Sequence, residues 1–297
     1  MVVDVEEGSG VRRIGIIGTE NSHVDHFIRF LNTEQRHPGN RVVALAGGAA
    51  DRNTALCETG GIELVVDQPS DLIGRVDAAI ISSRDGRHHR EQAEPLLAAG
   101  LPVLVDKPLA ASVDDAQAIL AAAARGHAPL VSCSALRFVP EVARLTDPRE
   151  RIGRLRQLAV IGPADPDSEW AGLFFYGIHQ VELALQLLGD PHIEPESSSV
   201  DVVRDGDTTV ALTQLGDVVV TFTFITPAED RVPFQVVATG TRGVLTESPT
   251  IGPDYNAPAL ARFIETCDQV RSPVDPRTLL SPIVVMAAIT DALTSRS

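Results

Sequence analysis

A single lysine that follows a short apolar run is the residue of this chain best suited to chemistry. The sequence has 297 residues with 25 basic side chains, and Lys107 is the one lysine among them. An ammonium group is a compact charge whose pKa falls readily on burial, whereas a guanidinium group stays charged. Lys107 follows Pro102–Val105, which we predict to be a buried strand, so its position favours a side chain that faces a substrate or cofactor. The alternative is a lysine on a solvated turn.

A histidine on a predicted helix is the second candidate. His179 lies in the predicted helix Tyr176–Leu188, which ends at a glycine-aspartate-proline turn. An imidazole titrates near neutral pH and can act as a general base beside a cation. Glu182 follows His179 by one helical turn and is predicted to orient its imidazole. Tyr176 is a further candidate proton carrier. The alternative for His179 is simple packing at a domain interface.

Other side chains are candidates for ligand binding. Arg137 can hold a carboxylate or phosphate through two parallel hydrogen bonds, or it can form a salt bridge between domains. Trp170 can offer a flat ring to a sugar, or it can belong to the core. A cationic segment can draw an anionic substrate or a phosphate into a cleft, or it can be a solvated helix start. This segment consists of Arg84, Arg87, His88, His89 and Arg90.

The elements that must position these residues alternate between strands and helices over the first 132 residues. This alternation predicts an α/β fold with a parallel, doubly wound sheet in a domain that spans residues 1–132. The predicted helices are Ser22–Asn32, Gly86–Ala99 and Ser112–Arg125, the last with Ser112 as its N-cap. The predicted strands are Arg13–Ile17, Arg41–Ala46, Glu63–Val66, Asp77–Ser82, Pro102–Val105 and Pro129–Ser132.

The pattern changes after residue 133, where predicted strands follow one another directly. Turn signals separate them, which indicates an open, mostly antiparallel sheet in an α+β domain over residues 133–297. The predicted helices are Tyr176–Leu188, Ala259–Val270 and Leu279–Leu293. The predicted strands are Ser197–Arg204, Thr208–Leu215, Val218–Thr226 and Val232–Thr239.

The turn after the first strand has the position of a dinucleotide-binding turn but not its glycines. Gly18 occupies the tight turn, while Glu20 and His23 stand where the second and third glycines are expected. A carboxylate at that point repels a pyrophosphate unless the side chain turns away. An ordinary turn between a strand and a helix, with Ser22 as the helix N-cap, fits the same residues.

Net charge and cysteine content limit the kinds of partner. The net charge of −15 is spread over both halves of the chain, which disfavours nucleic acid or an anionic membrane as a partner. The three cysteines show no metal-ligand spacing, so we predict no metal site. No apolar stretch approaches 18 residues, and Met1–Gly10 is acidic and polar, unlike a signal peptide. We therefore expect a soluble cytoplasmic protein.

Five motifs in order resemble the Gfo/Idh/MocA family of oxidoreductases, and the resemblance covers nearly the whole chain. One departure concerns Phe175, which stands where the family usually has an aspartate four residues before the histidine. The motifs are Asp77–Ser83 followed by His88, Ala98–Pro108 with its Asp-Lys-Pro end, Arg137–Pro140, Tyr176–Glu182 and Gly240–Gly243.

The resemblance implies a Rossmann domain that binds NAD or NADP and a second domain whose open sheet forms dimers or tetramers. Gly47 stands where an NAD enzyme usually has an acid for the ribose, and the nearby Arg52 favours NADP. The implied substrates are sugars, cyclitols or sugar nucleotides, with Lys107 orienting the reacting hydroxyl and His179 moving its proton. The predicted cofactor-binding residues are Gly18, Thr19, Glu20, Asn21, His23, Arg52, Ser82, Ser83, His88, Asp106 and Lys107.

Three functions remain open on these residues. The first is an oxidoreductase with Lys107, His179 and Tyr176 as catalytic residues and with Arg137 and Trp170, beside His179, as substrate-binding residues. The second is a dinucleotide-binding sensor or regulatory protein that does not turn over. The third keeps NAD tightly bound for redox-neutral chemistry such as epimerisation or elimination.

Overall fold

Two six-stranded sheets organise the computed structural model, one in each half of the chain. It describes residues 10–146, 149–195, 199–228, 232–270 and 275–295. Ser197 and Ser198 of the first strand predicted in the second half lie outside the described residues, as do residues 1–9.

The first sheet is parallel, and its strand order β3-β2-β1-β4-β5-β6 is that of a doubly wound dinucleotide-binding domain. Its strands are short apolar runs, and all four residues of the central β4 are buried. This is expected of a parallel sheet covered on both faces. All six predicted strands are confirmed: β1 Arg12–Ile17, β2 Asn40–Ala46, β3 Leu64–Val66, β4 Ala78–Ile81, β5 Val103–Val105 and β6 Leu130–Val131.

Four α-helices cross between these strands. The prediction of Ser112 as the α4 N-cap is confirmed, because its Oγ accepts a hydrogen bond from Asp115 N at 3.1 Å. The N-cap predicted at Ser22 is wrong, since Ser22 makes no side-chain cap and Asn21 Oδ1 accepts from His23 N instead. After α1 the chain continues as a short π-helix. The helices are α1 His23–Ile28, α2 Ala50–Gly60, α3 His89–Ala98 and α4 Val113–Gly126.

The second sheet has the order β12-β11-β7-β10-β9-β8 and is mixed rather than wholly antiparallel. Its exception is β7, a strand that sequence analysis missed, which runs parallel to β10 and antiparallel to β11. This strand joins the two hairpins into one sheet. The strands are β7 Leu155–Pro163, β8 Val200–Asp205, β9 Thr208–Leu215, β10 Val218–Ile225, β11 Gln235–Gly240 and β12 Val244–Glu247.

Helices cover one face of this sheet and leave the other partly open. Along β10 buried residues alternate with half-buried or exposed ones, as expected where one face meets a core. On the open face Leu212 is 44% exposed and Val203 is 63% exposed. The helices of this half are α5 Pro140–Ala143, α6 Arg149–Ile152, α7 Leu173–Tyr176, α8 Ile178–Leu187, α9 Ala257–Gln269 and α10 Pro276–Thr294.

The last two helices connect the two halves of the molecule. Phe263 of α9 is fully buried in the core that lies between the first sheet and α1. The α10 segment Arg277–Thr294 is long and apolar enough, with mean hydropathy 1.3, to cross a membrane by length and composition alone, which corrects the expectation that no stretch approaches 18 residues. In the structure its Ile283, Val285 and Met286 are buried in the larger core.

Candidate active site

Lys107 and the chain segment before His179 meet at the boundary between the two halves. Lys107 follows the carboxyl end of β5, is 6% exposed, and donates from Nζ to the carbonyl oxygen of Phe175 at 3.2 Å. Its ammonium also lies 4.9 Å from the ring centre of Phe175 and 5.7 Å from that of Tyr176. A cation over an aromatic face is attracted by the ring electrons. The second half of the chain therefore holds the ammonium in place without a carboxylate contact.

His179 lies at the start of α8, with its ring 5.5 Å from that of Tyr176, edge to face. Its Nδ1 is 2.7 Å from Ser134 Oγ, a contact that sequence analysis missed. Glu182 does not bind the imidazole, which corrects the prediction. Its Oε2 accepts instead from the Ser134 main-chain N–H at 2.7 Å, so Glu182 holds the residue that holds the histidine.

Burial shapes the protonation of both groups. Burial, followed by the charge of Lys107, lowers the pKa of His179 well below its usual range, so the imidazole is neutral at neutral pH. Burial also lowers the pKa of Lys107, although Asp106 and Glu182 act against this. The Tyr176 ring lies between the two groups, 5.7 Å from the Lys107 ammonium and 5.5 Å from the His179 ring. The site therefore combines a neutral imidazole with a cation whose proton is less tightly held than usual.

Asp106 anchors the turn before Lys107 to the first loop of the chain. One of its carboxylate oxygens lies 2.5 Å from His23 Nδ1, and the other accepts from Lys107 N at 2.9 Å. Although burial raises the pKa of Asp106, the His23 ring and the Lys107 charge outweigh it and hold this pKa well below its usual range. His23, which stands where the third glycine is expected, thus serves as a partner for the buried carboxylate of Asp106.

Glu20 links the first loop to the loop after β4. Its Oε1 accepts a hydrogen bond from the main-chain N–H of Arg84 at 2.8 Å. The carboxylate therefore turns toward that loop and has a fixed partner there.

The two neighbouring histidines of the cationic segment differ in their surroundings. The side chain of His88 is 57% exposed and pairs with Glu91. His89 is fully buried, and its two ring nitrogens lie 2.8 Å from the carbonyl oxygen of Pro108 and 2.9 Å from that of Ser83. The histidine that ties the loop after β4 to the loop after β5 is thus His89, while cofactor binding by His88 stays a prediction.

Comparison with known proteins finds a family match in the first half of the chain. Residues 12–132 match the family model for the Gfo/Idh/MocA oxidoreductases, described as an NAD-binding Rossmann fold. Over these residues the chain is similar to the Gfo/Idh/MocA family. It is 35% identical over 194 residues to inositol 2-dehydrogenase 2 of Saccharopolyspora erythraea, which covers 59% of this chain and 53% of that protein. It is 32% identical over 114 residues to 1,5-anhydro-D-fructose reductase of Ensifer adhaerens, which covers 38% and 33%. The matched segments thus span about half of these relatives' lengths or less.

Solved structures of similar shape extend over the whole chain. The structure of GenD2 from gentamicin A biosynthesis in complex with NAD has a TM-score of 0.82 at 17% identity and covers 100% of this chain and 98% of that one. Scyllo-inositol dehydrogenase from Lactobacillus casei, solved with NAD(H) and scyllo-inositol, has a TM-score of 0.79 at 16% identity and covers 97% and 98%. At this identity the likeness establishes the fold of both halves, including the second sheet that the family model does not reach.

A tight turn and a groove lie near the first loop of the chain. Gly18 has φ +80°, and a Cβ there would lie 2.3 Å from Ser83 N, so the tight turn requires glycine. A groove of about 640 Å³ lies along α2 and β3, with Gly48 and Asn53 in its wall. Asn53 Oδ1 and Thr19 Oγ1 are buried without a hydrogen-bond partner among the described residues. Unpartnered polar atoms of this kind are rare without a ligand or water.

Two predicted binding residues are occupied by contacts within the chain. Arg52 donates from Nε to the carbonyl oxygen of Thr19 at 3.1 Å and pairs with Asp25. Arg137 binds Asp190 at 2.6 Å and the main-chain oxygen of Glu182 at 3.1 Å, so its salt bridge lies within the second half of the chain and not between domains.

Trp170 lies beside the cleft, where its ring is 6.5 Å from that of Phe175. Within the described residues no group of three histidine, cysteine, aspartate or glutamate side chains is arranged to hold a metal ion.

Proposed function

We propose that the chain is an NAD(P)-dependent oxidoreductase that moves a hydride between a nicotinamide cofactor and the CH–OH or carbonyl carbon of a sugar-like or cyclitol-like substrate. The observation that carries the proposal is the meeting of Lys107 from the Rossmann half with the Phe175–His179 segment of the other half. The family and the inositol dehydrogenase relatives support it.

The residues divide the proton chemistry between them. His179 Nδ1 is engaged by Ser134, which leaves Nε2 to accept the hydroxyl proton while the imidazole is neutral. The Lys107 ammonium stabilises the alkoxide that develops as the proton leaves. The bound cofactor supplies the acceptor or donor of the hydride. In the reverse direction the same two groups return the proton to a carbonyl oxygen.

The test is the absorbance of reduced nicotinamide when the protein meets NAD⁺ or NADP⁺ and a panel of polyols, including myo-inositol. We expect turnover on at least one polyol, and Lys107→Met should lower kcat by about 10²- to 10⁴-fold. Arg90→Met is the matched control, because Arg90 is an exposed cation already paired with Glu94 and Asp115. Normal turnover by Lys107→Met would show that the mechanism is wrong.

The non-catalytic sensor remains the rival because Glu20 places a carboxylate beside the cleft and Phe175 offers no acid to the proton chemistry. Calorimetry separates the two functions. Tight cofactor binding with no turnover on any polyol or ketone would favour the sensor over the oxidoreductase.

We also propose NADP as the preferred cofactor, with Arg52 as the partner of the 2′-phosphate. That role requires Arg52 to exchange Asp25 for the phosphate. The ratio of kcat/KM for NADP⁺ and NAD⁺ decides the point.

We propose a soluble, cytoplasmic homodimer or homotetramer. The open face of the second sheet, with Val203 and Leu212 exposed, supports self-association. Light scattering on the purified chain measures the mass of the assembly, and a monomer would contradict this part of the proposal.

A further inference from the structure

Arg84 differs from the other arginines of the cationic segment. Arg87 pairs with Asp85, and Arg90 pairs with acidic side chains on two helices. Among the described residues, no carboxylate lies within ion-pair distance of the Arg84 guanidinium. It lies instead over the ring of Trp170, 5.4 Å from the ring centre.

The position of Arg84 brings it to the site of Lys107. Arg84 belongs to the loop after β4 and Trp170 to the loop after β7, so the pair bridges the two halves. Two contacting rings connect the cations, because Arg84 lies over Trp170 and the Trp170 ring is 6.5 Å from the Phe175 ring that lies beside Lys107. Each cation thus lies against one ring of this pair.

Among the described residues neither cation has a carboxylate within ion-pair distance, although Asp106 and Glu182 act on Lys107 from farther away. Two such cations repel each other unless an anion lies between them. This is unusual in a chain with 40 acidic side chains. The nearby Glu20 accepts from the main-chain N–H of Arg84 and is not within ion-pair distance of its guanidinium. Phe175 contributes only a ring and a carbonyl oxygen to the pocket.

We propose that the substrate of this site is an anionic polyol, carrying a carboxylate or a phosphate, and that Arg84 recognises its charge. The inference rests on the proposed function and specifies its substrate class. A guanidinium matches a carboxylate or phosphate through two parallel hydrogen bonds. The flat ring of Trp170 supports the guanidinium and offers an apolar face to the carbon skeleton. Lys107 then acts on the reacting hydroxyl, at a distance from the charged end.

Trp170 is the one tryptophan of the chain, so its fluorescence reports on this pocket directly. The experiment titrates the cofactor-loaded protein with D-glucuronate, with its neutral methyl ester, with D-glucose and with D-glucose 6-phosphate. We expect the charged member of each pair to bind more tightly. In Arg84→Met that preference should fall by about 10- to 100-fold, the effect of a hydrogen bond to a charged group. The neutral ligands should bind the variant as they bind the parent.

A control variant completes the test. Arg90→Met removes an equal charge from the same segment and should keep the preference. Whichever charged ligand shows the larger preference identifies carboxylate or phosphate as the group recognised. Equal binding of charged and neutral ligands, an equal loss in both variants, or a loss of NAD⁺ affinity in Arg84→Met with the preference intact would overturn the inference. Fluorescence measures binding without turnover. A protein that binds the charged ligands but shows no turnover would therefore contradict the proposed function and leave this inference standing.

Discussion

Two sets of charged side chains near His179 have opposite surroundings. We call the side with Arg137 and its acidic partners the side behind His179, and the side with Lys107 and Arg84 the side in front of it. Behind the α8 helix, the guanidinium of Arg137 is only 13% exposed and lies against the side chains of Glu182 and Asp190. In front, the cations of Lys107 and Arg84 lie against aromatic rings and a main-chain oxygen. The first set forms direct ion pairs, whereas neither cation of the second set has a carboxylate within ion-pair distance among the described residues.

The difference separates charges that hold the fold from charges that await a ligand. A buried ion pair whose partner is removed leaves an uncompensated charge, so its members are hard to replace. A cation without an acidic partner has less to lose in the free protein and more to gain when an anion binds. Substitutions on the two sides should therefore affect different measurements.

The largest expected effect tests the side behind His179. Arg137→Met should lower the free energy of unfolding by about 3–5 kcal/mol, because Glu182 would lose its buried partner. Arg84→Met should change it by no more than about 0.5 kcal/mol, as exposed or loosely held side chains do. Chemical denaturation measures both. Equal destabilisation by the two substitutions would remove the distinction between the two sides.

A smaller effect is expected at the residue between the two sides. Ser134→Ala should lower kcat by about 10-fold with little change in KM, because the imidazole loses the contact at Nδ1 that orients it. The pH profile of kcat should shift as well, and Ser134→Thr should restore most of the rate. The matched control is Ser112→Ala, which removes a helix cap far from the site and should affect stability alone. An unchanged pH profile in Ser134→Ala would exclude the positioning role.

The smallest effect concerns stability against pH. Burial keeps the folded pKa of His179 and His89 below the unfolded value, which is about 6.5. Between those values the unfolded chain binds protons that the folded chain does not, so stability falls as pH drops below about 6.5 and is retained above it. His179→Gln should reduce this dependence between pH 7 and pH 5 in denaturation curves, while the exposed His88→Gln should not. A slope unchanged by His179→Gln would contradict a neutral buried imidazole.

The Rossmann half was predictable because its signals are local. Each strand of the parallel sheet is a short apolar run with turns at both ends, and this pattern alone indicates that the strand is buried. The strand β7 escaped prediction because Leu155–Pro163 follows two short helices and pairs with β10 and β11, which lie more than 50 residues later. Its role as the centre of the second sheet depends on those later strands.

The candidate site was predictable in its cation and its histidine but not in their partners. Lys107 was found because it is the one lysine and follows a strand, and His179 because of its helix. Ser134 has no signal of this kind, since it looks like an ordinary helix cap 45 residues from the imidazole it contacts. Which of His88 and His89 ties the loop after β4 to the loop after β5 also depended on packing. In the sequence the two histidines are alike, and only the fold decides which one faces the core.

By itself, the amino-acid sequence determined the positions of the six strands in the first half, the N-cap at Ser112 and the presence of one ammonium group at the end of β5. These depend on contacts within a few residues, which local pattern records directly. Only the tertiary structure decided that Arg137 is paired, that Arg84 is not, and that Glu182 reaches His179 through Ser134. Charge pairing between distant segments depends on which side chains the fold brings within a few ångströms, and electrostatic energy changes steeply over that distance.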